Sequence, residues 1–171
     1  MTNNYTSNQS EQFKDKIIIV TGSTQGSGAE TAKLLASRGA RGIAICGRNE
    51  NKGNKVKDEI SKIGSECIYV KADLENLNDC KKIISETDKK FKTIDSFINV
   101  AAFTERGTIL STTEENYDKN FNVNVKAPLF MMQDIIKIMI RDKKKGTIAH
   151  ILSMAGYSGM PFLTAYSSSK A

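Results

Sequence analysis

The stretch Ile17-Ile18-Ile19-Val20-Thr21-Gly22-Ser23-Thr24-Gln25-Gly26-Ser27-Gly28 runs from a β-rich apolar segment into a glycine-rich turn. Its first four residues are all β-branched and predict a buried strand, and the residues from Gly28 to Ser37 predict a helix directly after the turn. The three glycines allow a tight turn and let backbone N–H groups approach a pyrophosphate at the N-terminus of that helix. The stretch therefore predicts a phosphate-binding turn, although a simple helix cap has the same composition.

Strands and helices alternate on the C-terminal side of this turn. Further strands are predicted at Gly42–Cys46, Cys67–Lys71, Ile94–Asn99 and Thr147–Leu152, and helices at Asn51–Ile63, Leu77–Phe91, about Thr113–Arg141 and from near Phe162. Short apolar strands separated by helices indicate a parallel sheet covered on both faces. The predicted fold class is therefore α/β, with a doubly wound parallel sheet.

The length and the polar start of the chain suggest a single domain. Residues 1–12 are mostly Asn, Ser, Thr and Gln, which have little to bury, and they predict a flexible tail. Order is expected over 13–171, and 171 residues leave room for one domain. We find no internal repeat and no second domain in the sequence.

Composition argues against several classes of protein. The formal charge of +6 comes from 25 basic and 19 acidic residues, but the lysine clusters lack interleaved aromatic residues or a nucleic-acid-binding motif, so we expect no nucleic-acid partner. Neither a signal peptide nor an apolar run long enough to span a membrane is evident. Cys46, Cys67 and Cys80 form no C-x-x-C pair, and there is a single histidine. We therefore expect reduced thiols, no metal site and a cytoplasmic location.

Tyr166 and Lys170 suggest a second kind of chemistry near the end of the chain. A free tyrosine titrates near about 10, which is too high for ready proton exchange at neutral pH, so a catalytic tyrosine needs a neighbour that stabilises the phenolate. At positions i and i+4 of a helix, the two side chains lie on one face, and the ammonium group can be that neighbour. By itself, such a pair is also compatible with a chance spacing on a surface.

The two motifs together resemble the short-chain dehydrogenase/reductase family, whose signature is T-G-x-x-x-G-x-G followed by Y-x-x-x-K. The resemblance extends from about Phe13 to Ala171, and other family landmarks fall in order between the motifs. These are Asp73 after the third strand, Asn99-Val100-Ala101-Ala102 after the fourth, Val123-Asn124-Val125 in the long helix, and Ser153 after the fifth strand. The resemblance implies a nicotinamide-dependent oxidoreductase that transfers a hydride between its cofactor and a carbonyl or alcohol substrate.

The resemblance also implies roles for single residues. Tyr166 exchanges a proton with the substrate oxygen, Ser153 polarises that oxygen, and Asn124 holds a water that links Lys170 to solvent. Lys170 additionally binds the nicotinamide ribose. Asp73 is expected beside the adenine ring, and the remaining predicted cofactor contacts are Gly22, Ser23, Thr24, Gln25, Gly26, Gly28 and Asn99. The sequence departs from the family pattern at Val100 and Ala102, which replace an asparagine and a glycine, and at Ser27, which replaces an aliphatic residue.

The end of the second strand bears on the choice of cofactor. An acidic side chain there binds the ribose 2′-OH of NAD, whereas a basic one suits the 2′-phosphate of NADP. The chain has Gly47 at that place and Arg48 directly after it, so NADP is favoured and NAD remains the alternative. Arg48 is also compatible with an ordinary exposed arginine. His150 lies in the fifth strand, where the family has no acid or base, and we expect it to be a structural residue.

The long helix carries an apolar stripe that is expected to face either the sheet or a second subunit. Its members are Tyr117, Phe121, Val125, Leu129, Met132, Ile136 and Met139, which recur at steps of three and four residues. Family members associate through this helix and the Y-x-x-x-K helix. The resemblance therefore implies a homodimer or a homotetramer.

The chain stops at Ala171, whereas the sheet of the family continues with further strands. The sequence is therefore also compatible with a non-catalytic dinucleotide-binding fragment of such an enzyme. Without those strands, the strand Thr147–Leu152 is expected to form a bare sheet edge and the Y-x-x-x-K helix to fray. Low solubility and little reductase activity are then expected of the 171 residues alone.

Overall fold

A computed structural model describes residues 11–171 of the chain. Most of the predicted tail lies outside the described residues, and only Glu11 and Gln12 of that segment are described. Both are exposed and belong to a turn that leads to the first strand.

The described residues form five strands and seven α-helices, which alternate for most of the chain. The strands are β1 (Ile17–Thr21), β2 (Gly42–Gly47), β3 (Glu66–Lys71), β4 (Ser96–Asn99) and β5 (Thr147–His150). The helices are α1 (Gly26–Ser37), α2 (Glu50–Ile63), α3 (Leu77–Phe91), α4 (Glu114–Phe121), α5 (Ala127–Arg141), α6 (Ala155–Ser158) and α7 (Thr164–Lys170). A π-helical turn, Asn122–Lys126, joins α4 to α5.

All five strands are parallel and lie in the order β3-β2-β1-β4-β5. Side chains alternate across β1, so Ile19 contacts the layer of α3 and α5 while Ile18 and Val20 contact the layer of α1 and α2. Both faces of the sheet are therefore covered, which confirms the predicted doubly wound α/β fold. The strand order reverses between β1 and β4, and a crevice opens at such a point in folds of this class.

The helix predicted over Thr113–Arg141 is interrupted by a wider turn. Pro128 has no N–H to donate to the carbonyl four residues earlier, so a regular α-helix cannot continue unchanged through this segment. The π-helical turn ends two residues before Pro128, and the backbone stays right-handed on both sides of it. π-helical turns commonly occur at functional sites, and this one contains Asn124.

Two element boundaries near the C-terminus differ from the prediction, and one short helix is additional. β5 ends at His150 instead of Leu152, and α7 begins at Thr164 after Phe162, which has a left-handed backbone with φ of 62°. The short helix α6 was not predicted at all. Its first turn is supported by Ser153, whose Oγ accepts a hydrogen bond from the N–H of Ala155 at 3.2 Å.

Candidate active site

A cleft of about 390 Å³ lies at the carboxyl ends of the strands, where the strand order reverses. It is lined by residues of the glycine-rich turn, of the ends of β2 and β3, of the loop after β4, and of α4 with the π-helical turn. They are Gly22, Thr24–Gly28, Cys46–Arg48, Ala72–Leu74, Val100–Phe103, Lys119 and Val123. Seven of the eleven residues predicted to bind the cofactor belong to this lining: Gly22, Thr24, Gln25, Gly26, Gly28, Arg48 and Asp73.

The glycine-rich turn requires its glycines for steric reasons. Gly22 and Gly26 have backbone φ angles of 62° and 57°, which residues other than glycine rarely adopt. A Cβ atom at Gly22 would lie 2.8 Å from the Cα of Ala101, and one at Gly28 would collide with the carbonyl of Gly22. No side chain caps the N-terminus of α1, so its first backbone N–H groups are available to an anion.

Ser23, in contrast, has a structural position below the turn. Its side chain is fully buried. The Oγ donates to the carbonyl of Val20 at 2.5 Å and accepts from the N–H of Cys46 at 3.0 Å. These bonds connect β1 to β2 and direct the hydroxyl away from the cleft. The predicted contact between Ser23 and the cofactor is therefore not reflected in the position of its side chain.

Gly47, the last residue of β2, lies against the side chain of Thr24, which occupies the space that a side chain at position 47 would need. A Cβ atom added to Gly47 would lie 2.7 Å from Cγ2 of Thr24. A side chain at position 47 would therefore force the side chain of Thr24 to move. Gln25 is held on the other side, because its Oε1 accepts from Nζ of Lys52 at 2.5 Å.

Arg48 and Asp73 face each other across the cleft. Nη1 of Arg48 lies 3.9 Å from Oδ2 of Asp73, and 68% of the arginine side chain is exposed. A pair this open to solvent is weak, so the guanidinium group is free to turn toward a more strongly charged anion. Asp73 is the more constrained partner, since its Oδ1 accepts from the N–H of Glu75 and its own N–H donates to Asp79.

Asn99 also lies below the cleft instead of in its lining. The side chain is buried, and its Oδ1 accepts from the hydroxyl of Thr21 at 2.6 Å. That hydroxyl accepts in turn from the N–H of Ala101 at 3.2 Å. The amide thus connects β1 to the loop after β4. Ala102, where the family has a glycine, adopts an ordinary negative φ, so the alanine introduces no backbone strain.

Asn124 connects the cleft to the last helix. Its Oδ1 accepts from the N–H of Phe103 at 2.8 Å, and its Nδ2 donates to the carbonyl of Phe103 at 2.9 Å and to Oγ of Ser169 at 2.8 Å. Ser169 donates to the carbonyl of Tyr166 at 2.8 Å. Both amide hydrogens of Asn124 are therefore engaged by the protein. Its predicted role in holding a water near Lys170 stays a prediction.

Tyr166 and Lys170 are neighbours on α7, as their spacing predicts. Nζ of Lys170 lies 6.0 Å from the centre of the Tyr166 ring and donates to the carbonyl of Ile151 at 3.1 Å. Burial lowers the pKa of Lys170. The bond to Ile151 anchors α7 to the segment that leads to Ser153, which is partly exposed. Ser153, Tyr166 and Lys170 therefore lie on adjoining elements, although none of the three lines the cleft.

Lys119 is a cleft residue that the sequence analysis missed. Its Nζ lies 4.8 Å from the centre of the Phe103 ring, on which the cation is held by the electrostatic attraction of the aromatic face. Within residues 11–171, Lys119 makes no ion pair. The sequence contained a signal for this position, because Lys119 lies four residues before Val123, and residues i and i+4 share a helix face. Lys119 could therefore have been expected on the same side of the helix as Val123, which also lines the cleft.

His150 and the three cysteines have no apparent part in the site. Nε2 of His150 lies 3.2 Å from Sδ of Met132, and burial, followed by the charge of Lys170, lowers the pKa of the imidazole. The cysteines are buried and unpaired, and burial raises the pKa of Cys46 to about 12. Among the described residues, no three His, Cys, Asp or Glu side chains are grouped to hold a metal. None of the described helices has the length and apolarity needed to cross a bilayer.

The chain belongs to the short-chain dehydrogenase family, whose family model, described as short chain dehydrogenase, matches residues 16–171. This match confirms the resemblance predicted from the two motifs. A protein of Thermotoga maritima named as an uncharacterized oxidoreductase is 33% identical over 159 residues, which cover 93% of this chain and 62% of that protein. The galactitol 2-dehydrogenase of Agrobacterium fabrum is 30% identical over 160 residues, which cover 94% of this chain and 61% of that enzyme.

A solved structure agrees with the fold in detail. The crystal structure of a short chain dehydrogenase from Bacillus anthracis superimposes with a TM-score of 0.85 at 28% sequence identity, covering 92% of this chain and 63% of the other. In each of these comparisons the chain spans less than two thirds of its relative.

Proposed function

We propose that this chain carries the cofactor cleft and the catalytic residues of an oxidoreductase that transfers a hydride between NADP(H) and a small carbonyl or alcohol substrate. The observation that carries the proposal is the hydrogen-bonded hub at Asn124. It joins Phe103, in the lining of the cleft, to the helix that bears Tyr166 and Lys170. Cofactor binding and proton transfer are thereby linked through one buried side chain.

The residues of α7 and of the segment after β5 supply the proton chemistry. Tyr166 gives a proton to the carbonyl oxygen during reduction and takes it back during alcohol oxidation. The positive charge of Lys170 stabilises the phenolate form, and Ser153 donates a hydrogen bond to the same substrate oxygen. NADPH, when bound, supplies the hydride, and NADP⁺ accepts it. We assign the ribose contact to Lys170 and the adenine contact to Asp73 on the basis of the family resemblance.

Two features at the end of β2 support NADP over NAD. Gly47 provides no carboxylate, and Thr24 fills the space that a side chain at position 47 would need. Arg48 follows directly, and its weak pair with Asp73 leaves the guanidinium group available for a 2′-phosphate. Lys119 adds a cation from α4 that can approach the pyrophosphate, which NADP and NAD share, so it supports dinucleotide binding and not the choice between the two.

We further propose that the protein forms a homodimer or a homotetramer and works in the cytoplasm. Most of the apolar stripe faces solvent: Tyr117, Val125, Leu129 and Ile136 are between 39% and 54% exposed. Met132 and Met139 are exceptions, because Met139 lies in the core beneath the sheet and Met132 packs against that core. This distribution favours the second of the two predicted positions of the stripe, against a neighbouring subunit.

A binding-only protein is the second candidate function. One observation favours it, namely that Ser153, Tyr166 and Lys170 do not line the cleft. The two functions are distinguished by titrating NADPH by its fluorescence and then measuring NADPH oxidation with a panel of aldehydes and ketones. Binding with carbonyl-dependent oxidation supports the oxidoreductase. Binding without oxidation by any carbonyl compound supports the second candidate, and failure to bind either NADPH or NADH contradicts both.

A further inference from the structure

The edge of the sheet formed by β3 lies in a lysine-rich groove on the side of the molecule away from β5. Within the described residues, β3 has a single neighbouring strand, β2. The groove has a volume of about 600 Å³ and runs along β3 between α2 and α3. Its lining consists of Lys57 from α2, Cys67–Lys71 from β3, and Lys82, Glu86, Lys89 and Lys90 from α3.

Alternate backbone groups of β3 face this groove. The N–H groups of Glu66 and Ala72 donate to carbonyls of the β2 segment at 3.0 and 3.2 Å. Successive residues of a strand direct their backbone groups to opposite sides, so even-numbered residues here pair with β2. The N–H and C=O groups of Cys67, Tyr69 and Lys71 therefore point outward. They form the template with which a further strand would pair.

The groove carries an excess of positive charge. Two of its lysines are paired, Lys90 with Glu66 at 2.8 Å and Lys71 with Glu50 at 3.6 Å. Lys57, Lys82 and Lys89 form no ion pair with any residue between 11 and 171. An acidic partner would therefore meet three cations that the protein itself leaves unneutralised.

The positions of these lysines differ from those that protect a sheet edge. A protecting lysine projects from the edge strand and obstructs it, whereas Lys57 comes from α2 and Lys82 and Lys89 come from α3. They border the groove and leave the outward backbone groups of β3 open. The one aromatic residue of the strand, Tyr69, is unsuited to stacking on a nucleic-acid base, because its hydroxyl donates to the carbonyl of Gly47 at 2.8 Å.

We propose that this groove binds an extended acidic polypeptide segment, which adds a strand beside β3 and places its carboxylates near Lys57, Lys82 and Lys89. Backbone hydrogen bonds to the edge provide the pairing, and the three lysines select acidic side chains on both sides of the added strand. Because these charges lie at the surface, binding weakens as ionic strength rises. The site is separate from the cofactor cleft and does not depend on the proposed oxidoreductase activity.

The probe is a fluorescein-labelled heptapeptide of alternating Glu and Val, with a Lys and Val peptide as its control, and the readout is fluorescence anisotropy of the full chain. We expect the glutamate peptide alone to bind, less tightly at high salt. The combined variant Lys57→Gln, Lys82→Gln, Lys89→Gln should weaken binding roughly tenfold, since each exposed pair contributes modestly. Absence of binding by the parent chain overturns the proposal.

A matched pair of variants separates edge pairing from charge. Lys71→Pro and Lys71→Gln remove the same charge, but only proline removes the outward N–H and obstructs the edge, without breaking a bond to β2. We expect Lys71→Pro to abolish binding and Lys71→Gln to weaken it a few-fold. Equal binding by the two variants overturns the proposal, as does an RNA oligonucleotide that binds both variants more tightly than the peptide. If Lys71→Pro fails to fold, Lys82→Glu with Lys89→Glu on α3 gives the same test of the acidic partner, and unchanged binding then overturns it.

Discussion

At the scale of single residues, the cleft is organised by buried side chains below it as well as by those that line it. Ser23 and Asn99 were both predicted to contact the cofactor, and in the structure both are buried and fix the backbone below the cleft. Arg48 and Lys119 face the cleft from opposite sides. Charged groups in such positions are expected to decide affinity and selectivity for a dinucleotide.

The first prediction concerns selectivity. NADPH should bind more tightly than NADH, and Arg48→Ala should narrow the gap by about 1.5 to 3 kcal/mol, because it removes a charge-assisted contact with the 2′-phosphate. Fluorescence titration of both nucleotides measures this. Arg41→Ala, an exposed arginine at the opposite end of β2, is the control and should leave the gap unchanged. Equal affinities in the parent chain would remove the basis for NADP selectivity.

The second prediction assigns a different effect to Lys119. Lys119→Met keeps an unbranched side chain over Phe103 but removes the charge. Affinity should fall several-fold for NADPH and NADH alike, because both contain the pyrophosphate, and binding should depend less on salt. Lys126→Met, at the end of the π-helical turn and outside the cleft lining, is the control. A loss confined to NADPH would instead place Lys119 at the 2′-phosphate, and an unchanged affinity would remove it from the site.

At the scale of elements, α3 and α5 are joined at their C-terminal ends by a single arginine. The guanidinium group of Arg141 donates to both carboxylate oxygens of Asp88, at 2.7 and 2.8 Å, and also to Asp142 at 2.7 Å. Hydrogen bonding to Arg141 holds the pKa of Asp88 below its ordinary value. This contact fixes two helices that cover one face of the sheet.

The third prediction follows from that pKa. In the unfolded chain, Asp88 has the ordinary aspartate pKa of about 3.9, whereas its pKa in the folded chain is lower. The ion pair with Arg141 therefore stabilises the fold fully at pH values above about 3.9. This stabilisation is lost as the pH falls through the pKa of Asp88 in the folded chain. Asp88→Asn should therefore lower the melting temperature at pH 7 and approach the parent in acid. Asp58→Asn, an exposed carboxylate on α2, is the control. A difference between Asp88→Asn and the parent that does not change with pH would contradict the account.

The sequence predicted the elements better than it predicted their junctions. The bounds of α3 were predicted without error, because its apolar positions recur at helical spacing between a capping Asn76 and the left-handed Lys92. The π-helical turn was missed, because one extra residue in the turn leaves the apolar stripe on the same side of the helix. The stripe still shows steps of three and four residues and therefore predicts one continuous helix. The structural positions of Ser23 and Asn99 were missed for another reason. A motif records which residue is present but not whether its side chain points toward the ligand or toward the core.

At the scale of the whole molecule, β3 and β5 form the two edges of the sheet in the described residues, and α4 and α5 present an exposed apolar surface. Tyr117 and Phe121 stack there with ring centres 4.3 Å apart, and Leu129 and Ile136 continue the surface. Apolar side chains in such a row commonly mark a contact with another protein. A second copy of the chain is the partner that the family resemblance implies.

The fourth prediction tests this surface. The parent of this test is the chain extended to the full length of its relatives, and it should be a dimer or a tetramer by light scattering at micromolar concentration. Leu129→Lys should shift it toward the monomer by placing an unpaired charge in the apolar contact. Ile63→Lys, which charges an exposed isoleucine at the end of α2, is the control and should leave the mass unchanged. A monomeric parent chain would count against the assignment of this surface.

The last prediction addresses the central claim, that Tyr166 is the acid of an NADP(H)-dependent oxidoreductase. Tyr166→Phe removes only the ionisable oxygen, and Tyr117→Phe provides the same change on the exposed face of α4. The parent of this measurement is the chain extended to the full length of its relatives, and carbonyl-dependent NADPH oxidation and NADPH affinity are measured in it and in both variants. We predict that Tyr166→Phe binds NADPH as the parent does but loses turnover by at least about a hundredfold, while Tyr117→Phe keeps both. Turnover retained by Tyr166→Phe would show that another group supplies the proton and would contradict the account.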